Sequence, residues 1–300
     1  MIEVRNLTKR FGARLALDDV SFTVEPGRVT AFLGPNGSGK TTTMRILLGL
    51  ETATAGLALF NGLAYTDLRD PMRRVGALLD ARNAHPGRTA FDHLRALALT
   101  HGIPSSRVED VLADVGLVEV ADARVGGFSL GMRQRLGIAG AMLGDPPVYV
   151  FDEPVNGLDP DGVRWFRDLV RTFAGEGRAV FLSSHLISEV ALTADHVIVL
   201  GRGRVRADGS LSDLARLAGP AQVTVRSPRL GDLAGALARS GLNATVVGDA
   251  LLTEADAGTV GNLAADHGIP IHQLTTLVSS LEDAYRALTD DSVEFRPSVS

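Results

Sequence analysis

Along the first 220 positions, short β-branched and aromatic runs alternate with stretches whose apolar residues recur every three or four positions. That alternation of strand and helix patterns predicts an α/β domain. Strands are predicted at Ile2 to Leu7, Leu17 to Val24, Val29 to Leu33, Val148 to Phe151, Ala179 to Ser183 and His196 to Leu200. Ser21 to Leu33 reads as a hairpin turning at Pro26-Gly27, and Val197 to Ala207 as a second one around Gly201-Arg202-Gly203.

Pro71 to Val125 carries mostly helical spacing, clearest in Ala90 to Ala98 and Arg107 to Val115, and predicts an inserted helical subdomain over about 71–145. Pro220 marks a boundary between a domain of residues 1–219 and a smaller one of residues 220–300. Ala221 to Thr275 then runs strand, helix, strand, strand, helix, strand, the order of a split βαβ unit, which predicts a small α+β, ferredoxin-like domain. A last helix is expected over Leu281 to Leu288, introduced by Ser280 with Asp283 three positions on, and Asp290 to Ser300 is expected to fray.

Composition narrows the function classes. The chain is 45% hydrophobic and 22% charged, that of an ordinary globular protein, and its net charge of -5 offers no electrostatic case for a nucleic-acid partner. Without cysteine, disulfides and thiolate metal sites are excluded. No signal-like segment is expected at Met1 to Arg5, and runs such as Leu136 to Leu143 fall far short of the ~20 residues that span a bilayer. Lysine is rare: Lys9 and Lys40 stand among 30 basic residues that are otherwise arginine. A lysine kept against that bias points to chemistry arginine does not supply.

Lys40 sits in Gly34-Pro35-Asn36-Gly37-Ser38-Gly39-Lys40-Thr41, a complete phosphate-binding loop between a predicted strand and a predicted helix starting at Thr42. Glycines let successive N–H groups wrap an anion, and the helix N-terminus adds its dipole. Lys40 then supplies a compact charge to the β- and γ-phosphates, and the Thr41 hydroxyl is a Mg²⁺ ligand. Val148 to Phe151 ends in Asp152-Glu153, two carboxylates at the carboxyl end of a strand, where α/β sheets bind ligands. Asp152 is placed to hold the metal and Glu153 to orient or deprotonate the attacking water.

Phe128-Ser129-Leu130-Gly131-Met132-Arg133-Gln134-Arg135 resembles the signature motif of ATP-binding cassette (ABC) proteins, with Leu130 and Met132 replacing a glycine and a glutamine. The variant resembles the branch of bacterial drug, antibiotic and peptide exporters. The resemblance covers roughly Met1 to Arg216 and implies a P-loop ABC ATPase core with an antiparallel β subdomain and a helical insertion. It implies that Ser129 and Gly131 meet the γ-phosphate of a nucleotide held by a second copy. Asn156-Gly157-Leu158-Asp159 matches the loop that crosses between copies, and His185 the switch histidine that meets the γ-phosphate. Phe11 matches the aromatic that stacks on adenine. Asp80 stands where the family has a metal-associated glutamine; either it replaces that residue or it is a solvated loop carboxylate.

ATP and Mg²⁺ are therefore the implied ligands, with ATP contacts from Phe11, Gly34 to Thr42, Ser129 and Gly131. The implied catalytic residues are Lys40, Glu153 and His185, and the implied metal ligands Thr41, Asp152 and Asp80. The implied function is the ATPase of an exporter, working as a head-to-tail homodimer against a separate transmembrane permease, in the cytoplasm at the inner face of the cell membrane. The alternative is a soluble ABC-type ATPase acting on ribosomes or nucleic acid; a single cassette without a long coiled-coil insertion argues against it.

Overall fold

The computed structural model describes residues 1–217, 222–277, 282, 285 and 288. They fall into two compact units, one built on Met1–Leu211 and the other on Ser212–Ala287.

In the first unit, β1 (Ile2–Phe11) and β2 (Arg14–Val24) form an antiparallel hairpin around Gly12, whose φ of 57° fits the turn. The predicted hairpin at Pro26-Gly27 does not form. β3 (Val29–Leu33) lies in a different sheet, and all five of its residues are buried. β2 instead buries Val20, Phe22 and Val24 and exposes the residues between them. A strand covered on both faces belongs inside a parallel sheet, whereas an alternating one suits a sheet with a single packed face. The chain crosses between sheets at this turn, where the Gly27 N–H donates to the Arg178 carbonyl (3.0 Å) and the Val29 N–H to the Asp195 carboxylate (2.9 Å).

α1 (Lys40–Leu47) follows β3 and stops before Gly49, which takes a φ of 68°. β4 (Ala55–Phe60) completes the antiparallel sheet in the order β2-β1-β4. The segment predicted as mostly helical contains β5 (Val75–Leu78), several single 3₁₀ turns, α2 (Ala90–Thr100) and α3 (Ser106–Asp114). α4 (Leu130–Met142) leads into β6 (Val148–Phe151) and α5 (Pro160–Gly175). β7 (Ala179–Ser184), α6 (Ile187–Thr193), β8 (His196–Gly201) and β9 (Arg204–Ser210) follow. β8 and β9 make the hairpin predicted around Gly201-Arg202-Gly203.

The main sheet runs β5-β6-β7-β3-β8-β9, with every neighbouring pair parallel except β8 and β9. β7 between β6 and β3 brings three carboxyl ends together: the phosphate loop after β3, Asp152-Glu153 after β6 and His185 after β7. The two sheets share one core, in which the rings of Phe22, Phe32 and Phe181 lie 5.3–5.5 Å apart. Such ring pairs add about 0.5–1.5 kcal/mol each beyond simple burial.

In the second unit, α7 (Leu211–Leu217) begins at the division between units. β10 (Gln222–Arg226), α8 (Leu230–Arg239), β11 (Ala244–Val247), β12 (Ala250–Thr253), α9 (Ala257–Asp266) and β13 (Gln273–Leu277) keep the predicted order. Their sheet runs β11-β12-β10-β13 with all neighbours antiparallel, the arrangement of a split βαβ unit. Val223, Val225, Leu233, Leu237, Leu251 and Val260 form its own core. The expectations for Pro220, for Ser280 and the helix Leu281 to Leu288, and for the tail Asp290 to Ser300 lie largely outside the described residues. Among the described residues, no helix is long and apolar enough to cross a membrane.

Candidate functional site

Between β3 and α1 the loop Gly34 to Gly39 folds tightly back on the chain. A Cβ on Gly39, whose φ is 112°, would come within 2.5 Å of the Leu17 side chain; one on Gly34 would come equally close to the Leu200 carbonyl. Only glycine satisfies that backbone and that clearance. The loop borders a cavity of about 360 Å³ lined by Pro35 to Thr42 together with Phe11, Arg14, Ala16 and Glu153. Lys40 is buried beneath it, its ammonium donating to the carbonyls of Gly34 (2.6 Å) and Pro35 (3.4 Å). Burial holds the Lys40 ammonium below the ordinary lysine range, against the opposing pull of Glu153 and Asp152. The Ser38 hydroxyl is buried here without a hydrogen-bond partner. Such a group costs about 1–3 kcal/mol unless it is satisfied, and an anion oxygen in the cavity would satisfy it.

The carboxylates arrive from β6. Asp152 accepts hydrogen bonds from the hydroxyls of Thr41 (2.7 Å) and Ser183 (2.5 Å). Glu153 has an uncommon φ of 48°, and its carboxylate lies 2.9 Å from His185 Nδ1 and 3.8 Å from Lys40 Nζ. The second distance is an ion pair but too long for a hydrogen bond. With Glu153 ionised, Nδ1 of His185 carries the hydrogen and donates it. The fold thus joins Lys40, Thr41, Asp152, Glu153 and His185 into one hydrogen-bonded and ion-paired group.

Other predicted residues sit elsewhere. Ser129 caps α4, accepting from the Met132 N–H (3.2 Å), and neither it nor Gly131 lines the cavity around Lys40. Gly131 packs against Gly157: a Cβ on Gly131 would reach the Gly157 carbonyl at 2.9 Å. Asp159 caps α5 through the Gly162 N–H (2.7 Å). Phe11 lines the cavity 47% exposed, with the Lys9 ammonium 4.7 Å from its ring centre; Lys9 is itself tied to Glu51 and to the Thr52 carbonyl, both at 2.7 Å. Asp80 does not line the cavity. One carboxylate oxygen accepts from the Arg82 N–H (2.9 Å), and the Arg82 guanidinium meets both oxygens at 3.1 and 3.2 Å, holding the carboxyl below its usual range.

Two residues escape sequence reasoning. Ser183, fully buried, bridges the two carboxylate positions: its hydroxyl donates to Asp152 and accepts from the Glu153 N–H (2.8 Å). Gln134, also buried, donates from its amide to the carbonyls of Pro154 (2.7 Å) and, more weakly, Glu153 (3.4 Å). Ser183 signals itself only as a polar residue that pattern alone would bury, and Gln134 lies in the signature-like stretch Phe128 to Arg135 without a role assigned to it there.

With that geometry in place, similarity to known proteins is informative. A family model described as ABC transporter matches residues 17–156. The lantibiotic transport ATP-binding protein SrtF of Streptococcus pyogenes is 36% identical over 205 residues, which cover 68% of this chain and 89% of that protein. The bacitracin transport ATP-binding protein BcrA of Bacillus licheniformis is 38% identical over 208 residues, 68% of each chain. This chain belongs to the ABC transporter ATP-binding family. It is an ABC ATPase, and its nucleotide is ATP. Among solved structures, the ATP-binding subunit of an ABC transporter superposes with a TM-score of 0.65 at 29% identity, over 72% of this chain and 92% of that one. A dimeric bacterial ABC transporter cassette superposes with a TM-score of 0.64 at 25% identity, over 70% and 98%. Residues 221–282 of this ABC protein match a separate family, a domain of unknown function.

Proposed function

We propose that this ABC ATPase energises a membrane exporter of antibiotic-like or peptide cargo, pairing head to tail with a second copy and docking on a separate transmembrane permease. The observation that carries the pairing is the division of the site. Lys40 and Glu153 line the cavity, while Ser129 and Gly131 stand at the N-terminus of α4 outside it. A second copy supplying its own Ser129 would complete each nucleotide site. The cargo class rests on relatives whose names specify lantibiotic and bacitracin transport. We further take residues 1–219 as the ATP-binding domain, residues 220–300 as an accessory domain, and the inner face of the cell membrane as the place of work.

In this reading the loop N–H groups, Lys40 and the Ser38 and Thr42 hydroxyls grip the phosphates, and Phe11 offers its exposed face to adenine. Glu153 accepts the proton of the attacking water, and His185 holds the Glu153 carboxylate in place. Thr41 and Asp152 present a hydroxyl and a carboxylate 2.7 Å apart, hard oxygen donors that fit Mg²⁺. When bound, Mg²⁺ supplies charge neutralisation at the β- and γ-phosphate oxygens. Asp80 would join that set only by leaving Arg82. Because the γ-phosphate is the group gripped from both copies, its loss on hydrolysis removes the shared ligand and favours opening.

Affinity capture of tagged protein from gently solubilised native membranes tests the assignment. A multi-span membrane protein recovered in comparable amount is expected. Recovery of ribosomal proteins or nucleic acid without such a partner would overturn it.

A further inference from the structure

Glu153 holds a left-handed backbone that a non-glycine residue keeps only when its surroundings impose it. Ser183 fixes its N–H from β7. On the carbonyl side the fixing group comes from α4: the Gln134 amide donates to Pro154 at 2.7 Å and reaches the Glu153 carbonyl at 3.4 Å. The same helix grips this segment a second time. The Leu130 side chain fills the space above Gly157, where an added Cβ would meet it at 2.4 Å, and Gly131 abuts the Gly157 carbonyl. One helix therefore touches both ends of the stretch from Glu153 to Gly157, and its first turn carries Ser129.

We propose that Gln134 is a positioning residue for Glu153, and that through it α4 couples the turn meeting the second copy's nucleotide to the base of the chain's own site. This rests on the reading of Glu153 as the base and of Ser129 as a contact to the other copy. A shift of α4 when Ser129 engages a phosphate would pull on the Pro154 carbonyl and re-aim the carboxylate one residue earlier. The chemistry at one site then senses occupation of the other through the Gln134 hydrogen bonds and the packing of Leu130 and Gly131 on Gly157.

The test is Gln134→Met in the full-length protein, which keeps the side-chain volume and removes the donor. A fall in kcat of about tenfold or more is expected, with KM and ATP affinity within about twofold of wild type and ATP-driven pairing by light scattering retained. Gln134→Glu, the same shape with an acceptor facing the carbonyl, is expected to lose at least as much. Normal wild-type turnover with an unchanged kcat in both variants overturns the inference alone. Loss of ATP binding in both assigns Gln134 to packing and overturns it too. A wild-type chain without turnover would overturn the functional reading, and the inference with it.

Discussion

Glu153 is held by four groups: Ser183 at its N–H, Gln134 at its carbonyl, and His185 and Lys40 at its carboxylate. A backbone at φ 48° costs about 1–3 kcal/mol for such a residue, and those contacts offset it. Glu153→Gln keeps the shape and removes the proton acceptor. ATP binding should persist while turnover falls roughly 10²- to 10⁴-fold, and ATP-bound pairs should accumulate in gel filtration. Retained turnover would take Glu153 out of the base role. The residues legible in sequence are those whose own side chains meet at the carboxyl ends of β3, β6 and β7: Lys40, Thr41, Asp152, Glu153 and His185. Ser183 and Gln134 were illegible because they act on main-chain groups 30 and 20 residues away, a proximity that only the fold creates. For Asp80 the sequence leaves two readings open, and here Arg82 two positions on takes up its carboxylate.

At the scale of elements, α4 has two duties at one end. The Ser129 hydroxyl caps it, and the same exposed turn is the proposed face toward the other copy. Ser129→Ala should cost about 1 kcal/mol of stability through the lost cap. Ser129→Asp caps equally well, so the melting temperature should hold, but it sets a negative charge against the γ-phosphate. ATP-driven pairing should therefore fail in Ser129→Asp without loss of stability; pairing at wild-type strength would remove Ser129 from the interface. Element type was readable where the pattern was clear, as in α2 or the β8–β9 hairpin. Partnership was not. Ser21 to Leu33 has a turn between two strand patterns, and only the burial of β3 on both faces shows that its partners are β7 and β8, whose sequences lie about 150 residues away.

At the scale of the whole molecule, each unit has its own apolar core. Calorimetry should then resolve two transitions, with Mg-ATP moving only that of the nucleotide-binding unit. At 100 times the dissociation constant, ligand linkage adds about 2.7 kcal/mol, a rise of roughly 5–10 °C for a unit of this size. A single transition that moves as one would mean the units melt together. In the second unit the order of elements was legible from periodicity; in the first, β4 and β5 were not among the predicted strands.

The scarcity of lysine has a practical consequence. With Lys9 and Lys40 the only lysines, an amine-reactive reagent can mark just those two side chains and the N-terminal amine. Lys9 is tied to Glu51 and lies against the Phe11 ring at the rim of the cavity. Lys40, with its proton affinity lowered by burial, borders the cavity directly. ATP should shield Lys40 from acylation, so peptide mass spectrometry would read nucleotide occupancy from one modification, even in a crude membrane extract.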